Sequence, residues 1–121
     1  MKTICIAPPN ALILVMDFDS GQVPEATGKT LVSATETCTA VGCRSEHDGA
    51  TEIHLAQSHE VTPSDALAFS GNVCTPRKTL PICTVLNEEM LSTAVSDITT
   101  HVRVFANDRI EPDRIFVIFD L

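Results

Sequence analysis

Two aspartates at the end of an apolar run are the first residues whose types and spacing could do chemistry. Asp17 and Asp19 come directly after residues 12–16, and Glu25 follows six residues later. Clustered carboxylates suit hard divalent cations, which prefer oxygen ligands. An EF-hand loop also needs ligands at fixed offsets, a central glycine and a final glutamate, and Asp17, Asp19 and Ser20 match it only loosely. A metal-dependent enzyme or metal-binding protein that uses Asp17 and Asp19 therefore stays open as an alternative function.

The same stretch carries a short resemblance to a known family. An apolar strand that ends in Asp-x-Asp resembles the first motif of the haloacid-dehalogenase-type phosphatases, and the resemblance covers residues 12–21. It implies Asp17 as nucleophile and Asp19 as general acid/base, beside a magnesium ion. Gly21 stands where the family has Thr or Val, and the alternating strands and helices of the family are missing. A strand that leads into an acidic, solvated turn is the simpler interpretation.

A second group of residues could bind zinc. Cysteines and histidines lie within 22 residues of one another, at Cys38, Cys43, His47, His54 and His59. They contain no Cys-x-x-Cys pair, and their spacing matches no common zinc pattern. Buried cysteine usually behaves as a small apolar side chain. No serine lies in a Gly-x-Ser-x-Gly elbow either. We therefore predict no metal, no cofactor and no enzymatic activity.

Charge restricts the class of partner. The chain of 121 residues has a formal net charge of −8, and the acids are spread along it. A negative field disfavours nucleic acid and anionic membrane and favours a basic protein partner. Five cysteines without a convincing leader sequence are typical of reduced thiols, so we expect a cytoplasmic protein. No apolar run approaches the ~18 residues that a membrane span needs.

Short strand patterns separated by turn residues predict the fold. Residues 12–16 read as a buried strand, and residues 115–119 are apolar at every position, which indicates a strand inside a sheet. Residues 62–67 look like a capped helical turn. Pro81 places its strand at an edge or a bulge. We predict an all-β, single-domain antiparallel β-sandwich over residues 1–121, with about seven short strands and at most one or two short helical turns.

For one hairpin, the pairing register can be predicted residue by residue. A three-residue loop at residues 47–49, with Gly49 in the left-handed conformation, would pair the flanking strands. Val41 would then face Leu55, and Cys43 would face Ile53. This register places the apolar side chains on one face.

These observations predict a small acidic protein-binding module, of the inhibitor or immunity type, that acts on a basic partner such as a nuclease. The order of the elements is similar to that of the small β-sandwich inhibitor of a bacterial competence nuclease, although no motif carries the likeness. A structural subunit of a homo-oligomer, joined through an edge strand, is a further alternative. The predicted contact residues lie near loop tips: Asp17, Asp19, Glu46, Asp48, Asp108, Ile110, Glu111 and Asp113.

Overall fold

The computed structural model describes residues 1–17, 19, 21–24 and 30–120 and shows an all-β fold. The described residues form ten strands and one 3-10 turn at Pro9–Ala11, and they contain no α-helix. The strands are β1 (Lys2–Ile6), β2 (Leu12–Met16), β3 (Val32–Ala34), β4 (Cys38–Gly42), β5 (Thr51–Gln57), β6 (Ala66–Cys74), β7 (Thr79–Cys83), β8 (Glu89–Ala94), β9 (Thr99–Ala106) and β10 (Arg114–Asp120). The predicted β-sandwich class is confirmed, with more strands than expected.

Two five-stranded sheets make up the sandwich. Sheet I has the order β1-β5-β10-β9-β6, and sheet II has the order β3-β4-β2-β7-β8. Neighbouring strands run antiparallel except β5 and β10, which are parallel. The prediction of an antiparallel sandwich therefore needs this one correction.

The hydrophobic core lies between the two sheets. Ile13 and Val15 of sheet II and Ile53, Val104 and Ile115 of sheet I are all completely buried in one cluster. Strand side chains alternate between faces, so every second residue of β2 and β10 points into this core. Burial of these apolar side chains is the main stabilising contribution to the fold.

The prediction of a central strand at residues 115–119 is confirmed. β10 lies between β5 and β9, with Ile115 and Val117 facing the core. Ile118 points to the outer face, yet it is also buried. The connection 58–65 leaves β5 at one end of sheet I and enters β6 at the other end, so it crosses this outer face. Both faces of β10 are therefore covered, which explains its unbroken apolar run.

The predicted hairpin is wrong. Val41 pairs with Ile13 and Val32 in sheet II, whereas Ile53 pairs with Ile4 and Ile115 in sheet I. The connection between β4 and β5 therefore crosses from one sheet to the other. Gly49 does have a positive φ of +127°, but it lies within this crossing. Each strand found better partners far away in the sequence, which a local register argument does not contain.

Two smaller predictions also change. Residues 62–67 form no helical turn, because residues 61–64 have no regular secondary structure and β6 begins at Ala66. Pro81 is not in an edge strand, since β7 lies between β2 and β8. The alternative of a bulge is confirmed, because the β7–β8 register shifts between Ile82 and Cys83.

Candidate partner-binding surface

Six of the eight predicted contact residues come together at one end of the sandwich. The backbone amide of Arg44 donates to the Pro112 carbonyl at 3.0 Å, and that of Glu52 donates to the Asp113 carbonyl at 2.8 Å. These bonds place the connections 43–50 and 107–113 side by side. We call this end of the sandwich the acidic end. Its predicted contact residues are Glu46, Asp48, Asp108, Ile110, Glu111 and Asp113.

Arg44 joins the two connections of the acidic end. Its Nη1 lies 3.3 Å from Asp113 Oδ2, and its Nη2 donates to the Asp48 carbonyl. The guanidinium packs against Gly49, where a Cβ atom would lie 2.6 Å from Nη2. A side chain at position 49 would therefore push Arg44 away from both loops.

The connection 107–113 is held in shape by its own side chains. Asn107 Nδ2 donates to Asp113 Oδ1 at 2.5 Å, and Asn107 Oδ1 accepts from the amides of Asp113 and Arg114 at 3.1 Å. Asp108 Oδ2 accepts from the amides of Glu111 and Ile110 at 2.8 and 3.1 Å. Such hydrogen bonds from side chains to the backbone order a turn that has no strand pairing of its own.

These bonds also shift the acids toward their charged forms. The pKa of Asp108 is lowered from its usual value by the amides of Glu111 and Ile110. The pKa of Asp113 is lowered by the hydrogen bond from Asn107 and by the charge of Arg44. Both carboxylates therefore stay ionised at neutral pH.

The acidic end carries a net negative charge. Asp113 pairs with Arg44, and the half-buried Asp65 forms a bidentate pair with Arg114 at 2.7 and 2.8 Å. The ion pairs among the described residues do not include the other four acids of this end, Glu46, Asp48, Asp108 and Glu111. Asp108 accepts from backbone amides and Glu46 Oε1 accepts from the Asn10 amide at 3.4 Å, but these neutral donors leave the negative charge of each carboxylate in place.

An open groove adds an apolar component at the same end. Its volume is about 520 Å³, and it is lined by the segment Thr30–Leu31, the start of β6, the end of β9 and the first half of the β9–β10 connection. Ile110 is 79% exposed and Leu67 is 54% exposed, and both line this groove. Asp108 and Arg109 stand at its rim. The sequence analysis identified Ile110 but missed Leu67, because it assigned residue 67 to a helical turn.

The other two predicted contact residues lie at the opposite end of the sandwich. Asp17 is buried, and its Oδ1 accepts from Arg77 Nε at 2.9 Å. Arg77 Nη2 reaches Asp19 Oδ2 at 3.0 Å, and the hydrogen bond to Asp17 is the main cause of the raised pKa of Arg77. The guanidinium supplies the positive charge that a cation would bring. We therefore assign Asp17 and Asp19 to an ion-pair cluster that stabilises this end.

The chemical alternatives gain no support from the geometry. The described residues contain no group of three or more His, Cys, Asp or Glu side chains placed to hold a metal. Ser20 and Glu25 lie outside the described residues. The all-β fold lacks the alternating strands and helices of the phosphatase family that the Asp-x-Asp motif resembles.

The candidate zinc residues are also separated. Cys38 is buried on the outer face of sheet II, where burial raises the pKa of its thiol to about 11. Cys43 belongs to the core between the sheets, and burial raises its pKa too. His54 lies in sheet I, where its Nδ1 is 2.8 Å from Thr3 Oγ1 and its ring stacks on Phe116 at 4.4 Å. These residues act as packing groups on three different faces.

One further polar arrangement escaped the sequence analysis. On the outer face of sheet I, His101 Nδ1 lies 3.1 Å from Asn72 Oδ1, and His101 Nε2 lies 3.0 Å from Ser70 Oγ. The amide oxygen only accepts, so Nδ1 donates and Nε2 accepts from the serine. A catalytic serine also needs donors for the oxyanion, but the backbone amides of a sheet lie in its plane and do not point toward Ser70. The arrangement is a polar ladder on β6 and β9.

No protein-family model, curated protein or solved structure matches the chain. The described residues also form no helix with the length and apolar character needed to cross a membrane. The function therefore has to be argued from the residues themselves.

Proposed function

We propose that this chain is a protein-binding module that recognises a basic protein through its acidic end. The observation that carries the proposal is the combination found there, in which exposed carboxylates without an ion pair among the described residues lie at the same end as an exposed apolar groove. The nearby Ile110 and Leu67 would anchor the partner, and the acids would orient it. One such module would be an inhibitor of a basic enzyme such as a nuclease.

Charge supports the choice of partner. The net charge of −8 and the exposed carboxylates of Glu46, Asp48 and Glu111 would attract a basic surface during diffusional encounter. Complementary charge of this kind raises association rates and rejects partners of the wrong sign.

The apolar groove supports tight binding. Contacts that dominate binding energy are usually central, apolar and surrounded by a polar rim. Ile110 stands at the tip of a loop that Asn107 and Asp108 have already ordered. A preordered loop loses less conformational entropy when the partner binds.

The test starts from partners captured by cross-linking in the native cell lysate and then expressed in pure form. We expect the dissociation constant to rise steeply between about 0.05 and about 0.5 M salt, since salt screens exposed charges. The double variant Glu46→Gln/Glu111→Gln should slow association by about ten-fold, because neutralising rim charges acts mainly on the association rate.

A matched control separates local from total charge. The double variant Glu60→Gln/Asp97→Asn removes the same number of negative charges from exposed sites away from the acidic end, and urea unfolding of this variant measures the separate effect of losing the ion pair between Glu60 and the N-terminal ammonium. Its association rate should stay within about two-fold of the unchanged protein, because these sites lie beyond the screening length of the interface. Equal effects of the two double variants, or an affinity that does not respond to salt, would contradict the proposal. Cross-links found only between copies of this chain would favour the homo-oligomer alternative.

A further inference from the structure

We infer that an extended segment of the basic partner adds a strand to the free edge of β6 and places an apolar side chain in the adjacent groove. This inference rests on the proposed function and names the way in which the partner is held. The reasons are the lack of protection on this edge, the direction of its backbone groups, and the acids beside it.

The edge of β6 is the least protected of the four sheet edges. β6 has nine residues, and none of them is charged or proline. Natural edge strands are usually short, charged or covered, because an open edge pairs with other chains. β3 has only three residues, and the edges of β1 and β8 meet across the sandwich through a hydrogen bond from Lys2 Nζ to the Ser92 carbonyl. Within the described residues β6 pairs with β9 alone.

The backbone direction of β6 follows from one hydrogen bond. The Cys74 amide donates away from β9, to the Glu36 carbonyl at 3.1 Å. In an antiparallel ladder the N–H and C=O of one residue point to the same side, and successive residues alternate. Asn72 and Ser70 therefore turn their backbone groups to the open edge, while Gly71 and Val73 bond to β9. The bulge between Leu67 and Phe69 ends this regular stretch.

The groove begins where the regular edge ends. Ala66, Leu67 and Ala68 line it, so a strand bonded to Ser70 and Asn72 would reach it within a few residues at ~3.3 Å each. Backbone bonds would give this strand its direction, and the groove would select one apolar side chain. Strand addition of this type combines main-chain bonds with side-chain pockets.

Acids stand at both ends of the open edge. Asp108 lies at the rim of the groove, and Glu36 contributes the carbonyl that bonds to Cys74. Arg109 is the one base among the described residues that line the groove, and the whole chain has a formal net charge of −8. The segment that fits best has an apolar, alternating middle and lysine or arginine at its ends.

Proline substitution tests the backbone part of the inference. Ser70→Pro and Asn72→Pro each remove an amide that points to the open edge and leave the β6–β9 ladder bonds in place, which is where edge strands tolerate proline. Ser70→Ala is the matched control, because it removes the hydroxyl and its contact with His101 but keeps the amide. Two proline variants are used so that the test can still be made if one of them does not fold.

The probe is a synthetic peptide of about nine residues, with alternating valine and threonine between lysines at both ends. Two matched peptides carry glutamate in place of lysine, or N-methyl groups on alternate backbone amides. We expect the lysine peptide to bind the unchanged protein and Ser70→Ala with similar affinity. Its affinity for both proline variants should fall by about ten-fold, and the two matched peptides should bind as weakly.

Amide hydrogen exchange locates the bound strand. The amides of Ser70 and Asn72 should exchange quickly in the free protein and become protected when the lysine peptide is added. Binding that leaves these two amides unprotected would overturn the inference, as would equal affinity for the proline variants or no binding of the lysine peptide.

The two proposals fail in different ways. If the captured partner responds to Glu46→Gln/Glu111→Gln but not to Asn72→Pro, strand addition is wrong and the acidic end remains the binding surface. If the partner responds to neither variant, both proposals are wrong.

Discussion

The two ends of the sandwich carry the same kind of residue in different settings. At the opposite end, Asp17 is buried and Arg77 binds it together with Asp19. At the acidic end, Asp48 and Glu111 are exposed and form no ion pair among the described residues. An aspartate at a loop tip is thus a structural residue or a candidate contact residue, depending on whether an arginine from a distant part of the chain reaches it.

This difference between the two ends is not evident from the sequence, because each arginine lies far along the chain from the carboxylate that it binds. Arg77 is 60 residues from Asp17, and Arg114 is 49 residues from Asp65. The sequence predicted Asp17 as a contact residue and placed Asp65 in a helical turn, and neither arginine was foreseen as a partner. The acids left without such a partner are therefore better candidates for function than the acids that belong to a recognisable motif.

The largest difference between the ends should appear in stability. Asp17→Asn removes a buried charge that accepts from Arg77, and the hydrogen bond to a charged group is worth about 1–2 kcal/mol of unfolding free energy in this partly open site. Urea unfolding at pH 7 measures the loss, and Arg77→Gln should shift the midpoint in the same direction. Stability unchanged in both variants would show that the two ends do not differ as described.

Acid unfolding extends the comparison to Asp65, a half-buried acid near the acidic end. The hydrogen bonds from Arg114 hold the pKa of Asp65 below its ordinary value. A folded pKa below the unfolded value of about 3.9 stabilises the protein above that pH, and the stabilisation disappears as the pH falls through the folded pKa. Asp65→Asn should therefore be less stable than the unchanged protein at pH 7.

The pH series supplies its own control. The difference in unfolding free energy between Asp65→Asn and the unchanged protein should shrink as the pH falls below about 4 and through the folded pKa of Asp65, since that carboxylate then becomes neutral. If the difference in unfolding free energy stays constant over this pH range, packing and not charge holds the segment 58–65 against β10.

Loop order at the acidic end should depend on Asn107. Asn107→Ala removes the bonds that close the connection 107–113, and we expect a loss of about 1 kcal/mol with faster amide exchange at residues 110–113. The pKa of Asp113 should rise toward its ordinary value, which carbon NMR titration measures. Asn72→Ala, which deletes an amide from the face of sheet I, should leave these loop amides unchanged.

The smallest stability effect belongs to the free acids. Asp48→Asn and Glu111→Gln should change the unfolding free energy by less than about 0.5 kcal/mol, as is usual for exposed sites without partners. Their effect should appear in the association rate with the partner. A stability loss as large as that of Asp17→Asn would remove the distinction between the two ends.

The elements that the sequence predicts well are those with strong local patterns. The apolar runs at residues 12–16 and 115–119 became β2 and β10, because a strand covered on both faces needs apolar residues at every position. The class of fold followed from the spacing of such runs. Confirmed elements are those whose signal lies within the element itself.

The errors arose where two local patterns competed with distant partners. The pattern at residues 41–55 satisfies a hairpin, yet β5 pairs with β10, which lies about 60 residues later in the pairs Ile53–Ile115 and Leu55–Val117. The capping pattern at residues 62–67 satisfies a helical turn, yet Asp65 binds Arg114 instead. The groove also depends on pairing between elements that are distant in the sequence, since it joins β6 to the β9–β10 connection.

The parallel pairing of β10 with β5 also bears on how the chain folds. Until β10 is inserted, sheet I consists of two separate pairs, β1 with β5 and β9 with β6, whose exposed backbone groups face each other across a gap. Sheet II contains only residues 12–94 and can form without β10. Closing such long loops costs entropy before any contact is gained, which slows folding. The insertion of β10 is therefore the step at which we expect the folding rate of this sandwich to be set.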